Sequence, residues 1–211
     1  MPTILVFGDS NSHGTMPLAA RGRLDRHPPS ARWPDVMARA LGATVLAEGQ
    51  PGRTTVHDDP VEGRHKNGLR VLPSLLESHR PLDLVIVMLG TNDCKARFGL
   101  RGWDIAAGAG RLAQVVLASD AGIGGAAPRA MLVAPVPVEE TGALAEMFQG
   151  ARARSRAIAP ALREESDRLG CGFFDAGRVA EVDGLDGVHL AAQAQVALGL
   201  AMADAVGAMV G

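Results

Sequence analysis

The chain contains no tyrosine, and its aromatic content is only 3%. A stacking platform for bases or sugar rings is hard to build from so few rings. An excess of one charge is missing too: 21 Lys and Arg face 23 Asp and Glu, a formal net charge of −2. No basic stripe interleaves with aromatics, so no nucleic-acid partner is expected. Cysteine is scarce. Cys94 and Cys171 stand far apart and in no metal-ligand spacing, and two cysteines make no disulfide framework; neither a metal nor another cofactor is expected. Long apolar runs are absent. The longest, residues 84–89 and 130–138, are too short to span a bilayer, so no membrane partner is expected. The first strand begins at residue 3, which leaves no room for a signal peptide, and a soluble, cytoplasmic protein follows as the expectation.

What is present is a large apolar fraction, 47% of 211 residues, enough for one domain with a full core. Near its start Ile4-Leu5-Val6-Phe7 runs straight into Gly8-Asp9-Ser10. A short apolar run bounded by turn residues predicts a buried strand. Gly8 allows a sharp turn, after which Ser10 would sit exposed at the strand end, among free backbone N–H groups, as a nucleophile requires. The plainer alternative is that Ser10 or Asp9 caps the next helix.

The irregular stretch 15–32 carries Arg21, Arg23, Asp25, Arg26 and Arg32, read either as a solvated face or as a lid or subunit contact. A helix is predicted over Trp33–Leu41, with Pro34 in its first turn and Gly42 ending it. A short strand, 44–47, leads to Gly49-Gln50-Pro51-Gly52-Arg53. After a polar loop and a helix over 69–78 comes the strongest strand, 84–89, ending in Gly90-Thr91-Asn92-Asp93. A helix over 104–119, a strand over 130–134 and a long loop from Pro135 follow. Residues 144–169 are predicted helical, broken or kinked at Pro160. A fifth strand, 172–174, precedes Asp183-Gly184-Leu185-Asp186-Gly187-Val188-His189 and an Ala-rich helix over 190–210.

Five strands alternating with helices predict a parallel sheet covered on both faces, with ligands bound beyond the carboxyl ends of the strands. In the order 2-1-3-4-5 the first three strands are neighbours, and one rim then gathers Ser10, Gly52 and Asn92. Asp186 and His189, three residues apart around a glycine, are spaced for a carboxylate to hold the imidazole whose other nitrogen faces the serine. Asp183 is the rival orienter. The N–H groups of Ser10 and Gly52 and the Asn92 amide would supply three donors to an oxyanion; Asn92 alone would read as an ordinary turn residue. Asp9, Asn11, His13 and Arg53 are expected against substrate, Asp9 also shaping the serine turn and Arg53 lying at the mouth; the alternative for His13 is simple exposure.

These four blocks, Gly8-Asp9-Ser10, Gly52, Gly90-Thr91-Asn92-Asp93 and Asp186-Gly187-Val188-His189, make the chain similar to the SGNH (GDSL) hydrolases. Asp58-Asp59-Pro60, Leu72-Pro73-Ser74-Leu75 and Phe173-Phe174-Asp175-Ala176-Gly177 resemble a bacterial arylesterase/acyltransferase branch of that superfamily. The resemblance implies a flavodoxin-like three-layer α/β fold with a five-stranded parallel sheet, and a cofactor-free serine esterase with Ser10, His189 and Asp186 as its triad. It further implies a small-molecule ester substrate, an acetyl-like acyl group on an aryl or alkyl alcohol, secondary acyl transfer to alcohols, and a homo-oligomer. The chain departs from the branch where Leu-Thr-Trp-Gly-Trp usually follows the serine: Asn11-Ser12-His13-Gly14-Thr15 stands there. A carbohydrate O-acetylesterase is the second reading, and a non-catalytic binding module on the same fold a third.

Overall fold

Residues 4–7 and 84–88 are apolar without a break because both faces of their strands are covered. The computed structural model describes residues 1–22 and 24–210, so Arg23 lies outside the described residues. Its strands β1 (Thr3–Gly8), β2 (Thr44–Gly49), β3 (Leu84–Met88), β4 (Arg129–Ala134) and β5 (Gly172–Asp175) form one sheet in the order β2-β1-β3-β4-β5. Every pairing is parallel, with Val6 opposite Ala47 on one side and Ile86 on the other.

Side chains alternate across a strand, and the two faces feed two cores. Leu5, Phe7, Val85, Val87 and Leu132 pack under helices α3 (Gly68–His79), α4 (Gly102–Leu117) and α6 (Ile158–Leu169). Ile4, Val6, Leu84, Ile86 and Val133 pack against α2 (Trp33–Leu41) and α7 (Ala192–Val210) through Trp33, Met37, Leu198 and Met202. The expected three-layer architecture and strand order are those observed. Among the described residues no helix is long and apolar enough to cross a membrane.

Most element ends shift by one or two residues from the sequence reading, and two differences bear on the site. Residues 144–150 are not α-helical, and the helix that follows divides at Ala157 into α5 (Ala151–Arg156) and α6. The division falls where Pro160 acts, since its ring has no N–H for the carbonyl of Arg156 and crowds it. Pro160 is the third residue of α6, within the first turn, where an N–H has no acceptor inside the helix. The last helix starts two residues later than expected, at Ala192, because His189 and Leu190 belong to the loop before it.

Candidate active site

β1 delivers Ser10. The Asp9 side chain accepts the N–H of Asn11 at 2.9 Å and caps a single turn, α1 (Ser10–His13), which Gly14 ends at φ +81. The capping reading and the nucleophile reading are thus compatible: Asp9 caps, and Ser10 is the first residue of the turn. Ser10 is not exposed as expected. Only 5% of its surface is accessible, at the floor of a cavity of about 370 Å³.

The loop 183–189 brings His189 to Ser10. His189 Nε2 stands 3.0 Å from Ser10 Oγ, and its Nδ1 stands 2.6 Å from Asp186 Oδ2. Since the ionised carboxylate only accepts, Nδ1 carries the proton donated to it and Nε2 is left to accept from the serine. The backbone N–H groups of Val188 and His189 donate to Asp186 Oδ1, both at 2.9 Å. A fourth donor arrives from the irregular stretch 15–32: the N–H of Leu18 reaches Asp186 Oδ2 at 2.7 Å. Burial works against ionisation of Asp186, yet the bond and charge of His189 with the two loop N–H groups outweigh it and hold the carboxyl below its ordinary range. The rival Asp183 points elsewhere. Its side chain accepts from the N–H of Leu185, and its C=O from the N–H of Gly187. Gly187 has φ +74, and a Cβ there would stand 2.1 Å from the carbonyl oxygen of Glu139, so the loop closes only with glycine at this position.

Gly52, Asn92 and Ser10 line the same cavity. As first residue of α1, Ser10 presents an N–H with no acceptor in the helix. Asn92 Nδ2 donates one hydrogen to the carbonyl of Arg53 at 3.1 Å, which fixes the amide plane beside Gly52. Gly52 adopts φ +84, and a Cβ there would meet Glu62 Oε2 at 2.5 Å.

The four further residues expected against substrate lie elsewhere. Asp9 is buried beneath the serine turn, and burial raises its carboxyl pKa against the bond from Asn11. Asn11 ties the turn to the base loop: its Nδ2 donates to the carbonyl of Val188 at 3.1 Å, and its own carbonyl accepts from Gln195. His13 Nδ1 pairs with Thr15 Oγ1 at 3.0 Å, outside the cavity lining. Arg53 is not at the mouth. Its guanidinium lies 4.2 Å over the Phe7 ring and donates to the carbonyls of Gly8, at 2.9 Å, and Glu48, satisfying the ends of β1 and β2. Burial pushes its pKa down to about 10.

The walls are residues the sequence reading passed over. Leu18, Leu24, Leu144, Met147 and Phe148 make an apolar side, and Glu62, Lys66 and Lys95 a charged one. Lys95 had a local signal, since it stands three residues after Asn92, one turn of a 3₁₀ helix on. Leu18 and the 144–148 residues had none, because they arrive from irregular segments.

Beside the site, Asp93 is fully buried and accepts from the Thr55 N–H at 3.1 and 3.0 Å and from its hydroxyl at 2.6 Å. Burial outweighs those bonds and pushes its pKa up to about 6. A carboxyl whose folded pKa lies above its ordinary 3.8 favours folding while protonated. This contribution is full below about pH 4 and is lost as pH rises through about 6, on the order of 3 kcal/mol in all. The Tm contribution of Asp93 should therefore fall between about pH 4 and about pH 6.5, and Asp93→Asn should lose this slope. Equal slopes in thermal melts of the two proteins would refute the assignment.

The sequence model of the GDSL-like Lipase/Acylhydrolase family matches residues 6–196. Among solved structures, the chain is similar to a carbohydrate acetylesterase from Sinorhizobium meliloti, with 39% identity, TM-score 0.94, and coverage of 99% of this chain and 100% of that one. It is equally similar to the aryl esterase of M. smegmatis, with 38% identity, TM-score 0.94 and 99% of both chains covered. A lipase/acylhydrolase from Enterococcus faecalis shares the fold at 17% identity and TM-score 0.69, over 100% of this chain and 98% of that one. No curated protein matches the chain.

Proposed function

Since this chain belongs to the family of GDSL-like lipases and acylhydrolases within the SGNH superfamily, and is a carboxylic ester hydrolase, we propose that it cleaves small acyl esters of aryl or alkyl alcohols through an acyl-enzyme on Ser10. The observation that carries this reading is the relay of 3.0 and 2.6 Å from Ser10 through His189 to Asp186, at the floor of the cavity. Ser10 Oγ attacks the ester carbonyl as His189 Nε2 takes its proton. Asp186, ionised, holds the imidazole and offsets the imidazolium charge. The N–H groups of Ser10 and Gly52 and the amide of Asn92 receive the tetrahedral oxyanion. His189 then returns the proton to the departing alcohol, and water, activated by the same imidazole, releases the acid.

A cavity of about 370 Å³ with one apolar wall suits a short acyl group and a single ring. The charged wall favours a second reading, an ester of a hydroxyl-rich alcohol such as an acetylated sugar, as in the similar acetylesterase. Turnover of aryl acetates of rising acyl length, set beside acetylated sugars, decides between the two. Labelling of Ser10 by a fluorophosphonate tests both, and an unlabelled serine in folded protein would reject the mechanism.

The acyl-enzyme partitions between water and alcohol according to what fills the site. Glu62, Lys66 and Lys95 make one side of this cavity polar, which favours water as the acceptor, so hydrolysis should dominate over a measurable transfer. With an aryl acetate and rising benzyl alcohol, free acetate should exceed benzyl acetate at millimolar alcohol. The reverse ratio would count against that preference for water, and no benzyl acetate at any concentration would reject transfer.

A further inference from the structure

On the charged wall of the cavity one cation has no carboxylate of its own. Lys95 Nζ lies 2.5 Å from Glu62 Oε1 and 3.8 Å from Asp59 Oδ2. Arg97 lies 2.6 Å from each of the same two carboxylates, so this group of two cations and two anions is neutral. Arg21 has Glu146 at 3.4 Å. Lys66 is left over. Among the described residues it has no carboxylate partner; its ammonium donates to the carbonyl of Pro51 at 2.7 Å. An ammonium has three donors, so two remain for a ligand.

Lys66 is also held in place. Its backbone carbonyl accepts the N–H of Thr54 at 2.9 Å. Its neighbour Asn67 donates to Asp58 at 2.8 Å, and Asp58 is gripped in turn by Arg70 and Arg64. The aliphatic stem lies on Gly52: a Cβ at Gly52 would stand 3.1 and 3.3 Å from Cε and Cδ of Lys66. The ammonium without a carboxylate partner is therefore held against Pro51 and Gly52, the residues that carry the proposed oxyanion donor. Glu62 Oε2 touches Gly52 as well, but the charge of that carboxylate is already shared by Lys95 and Arg97.

We infer that Lys66 makes the site selective for esters carrying an anionic group on the alcohol arm. The inference rests on the esterase reading above, whose acyl group is too small to carry an ionised group itself. A carboxylate on the leaving alcohol would take the two free ammonium donors as charge-assisted hydrogen bonds, in a half-buried setting where screening is reduced. A neutral isostere would leave them to water.

The test compares 4-acetoxybenzoate with 4-acetoxybenzamide, which share ring and acyl group. From wild type to Lys66→Gln, the ratio of kcat/KM for the anion to that for the amide should fall about tenfold, and Lys66→Arg should restore most of it. The same ratio in the wild type should decline as ionic strength rises, a readout that needs no folded variant. An unchanged ratio in Lys66→Gln, or one indifferent to salt in the wild type, overturns the inference while turnover of the amide leaves the esterase reading standing. Turnover of neither ester by the wild type overturns that reading, and the inference with it.

Discussion

Ser10→Ala and His189→Ala should each lower kcat/KM for an aryl acetate on the order of 10³-fold or more, and the double variant little further, because members of such a relay act as a unit. The fold should survive both. Ser10 Oγ has His189 Nε2 as its hydrogen-bond partner, while the cap that shapes the turn belongs to Asp9. Removing the imidazole leaves Asp186 with three backbone donors, from Leu18, Val188 and residue 189. Kinetics on protein whose far-UV CD and Tm match the wild type is the measurement. Near-native turnover by Ser10→Ala would end the assignment of the nucleophile.

Asn92→Ala should cost about 10²–10³ in kcat with a much smaller change in KM, the pattern of a donor that acts on the oxyanion rather than on bound ester. Asn92 Nδ2 spends one hydrogen on the carbonyl of Arg53 and stands 3.5 Å from Asp9 Oδ2, too long for a strong second bond in the resting site. Its second hydrogen is thus available to the cavity. A rise in KM at constant kcat would instead make Asn92 a ground-state binding residue.

The sheet was readable because β1 and β3 are buried on both faces, so their apolar runs are continuous and end abruptly in Gly-Asp-Ser and Gly-Thr-Asn-Asp. The geometry of the base was readable because Asp186 and His189 are local to one another. What escaped depends on contacts between distant segments. Nothing near Leu18 announces that its N–H meets a carboxylate 168 positions away. Arg53 looked like a mouth residue because arginines are usually solvated, yet the carbonyls ending β1 and β2 and the Phe7 ring give its guanidinium a buried place. Residues 144–148 carry helix-like spacing but are drawn over the cavity in a loop. There Gly142 sits at φ +63, with no room for a Cβ beside the Leu185 carbonyl.

The bond between Ser10 and His189 joins residues 179 positions apart. During synthesis Ser10, Gly52 and Asn92 leave the ribosome long before His189 does. The loop that carries the base can dock beside β1 only after every strand between them has been made. An unfinished chain, or one clipped before residue 186, holds Ser10 without Asp186 and His189. On the mechanism proposed above, ester turnover by this protein should count only molecules whose synthesis has passed residue 189.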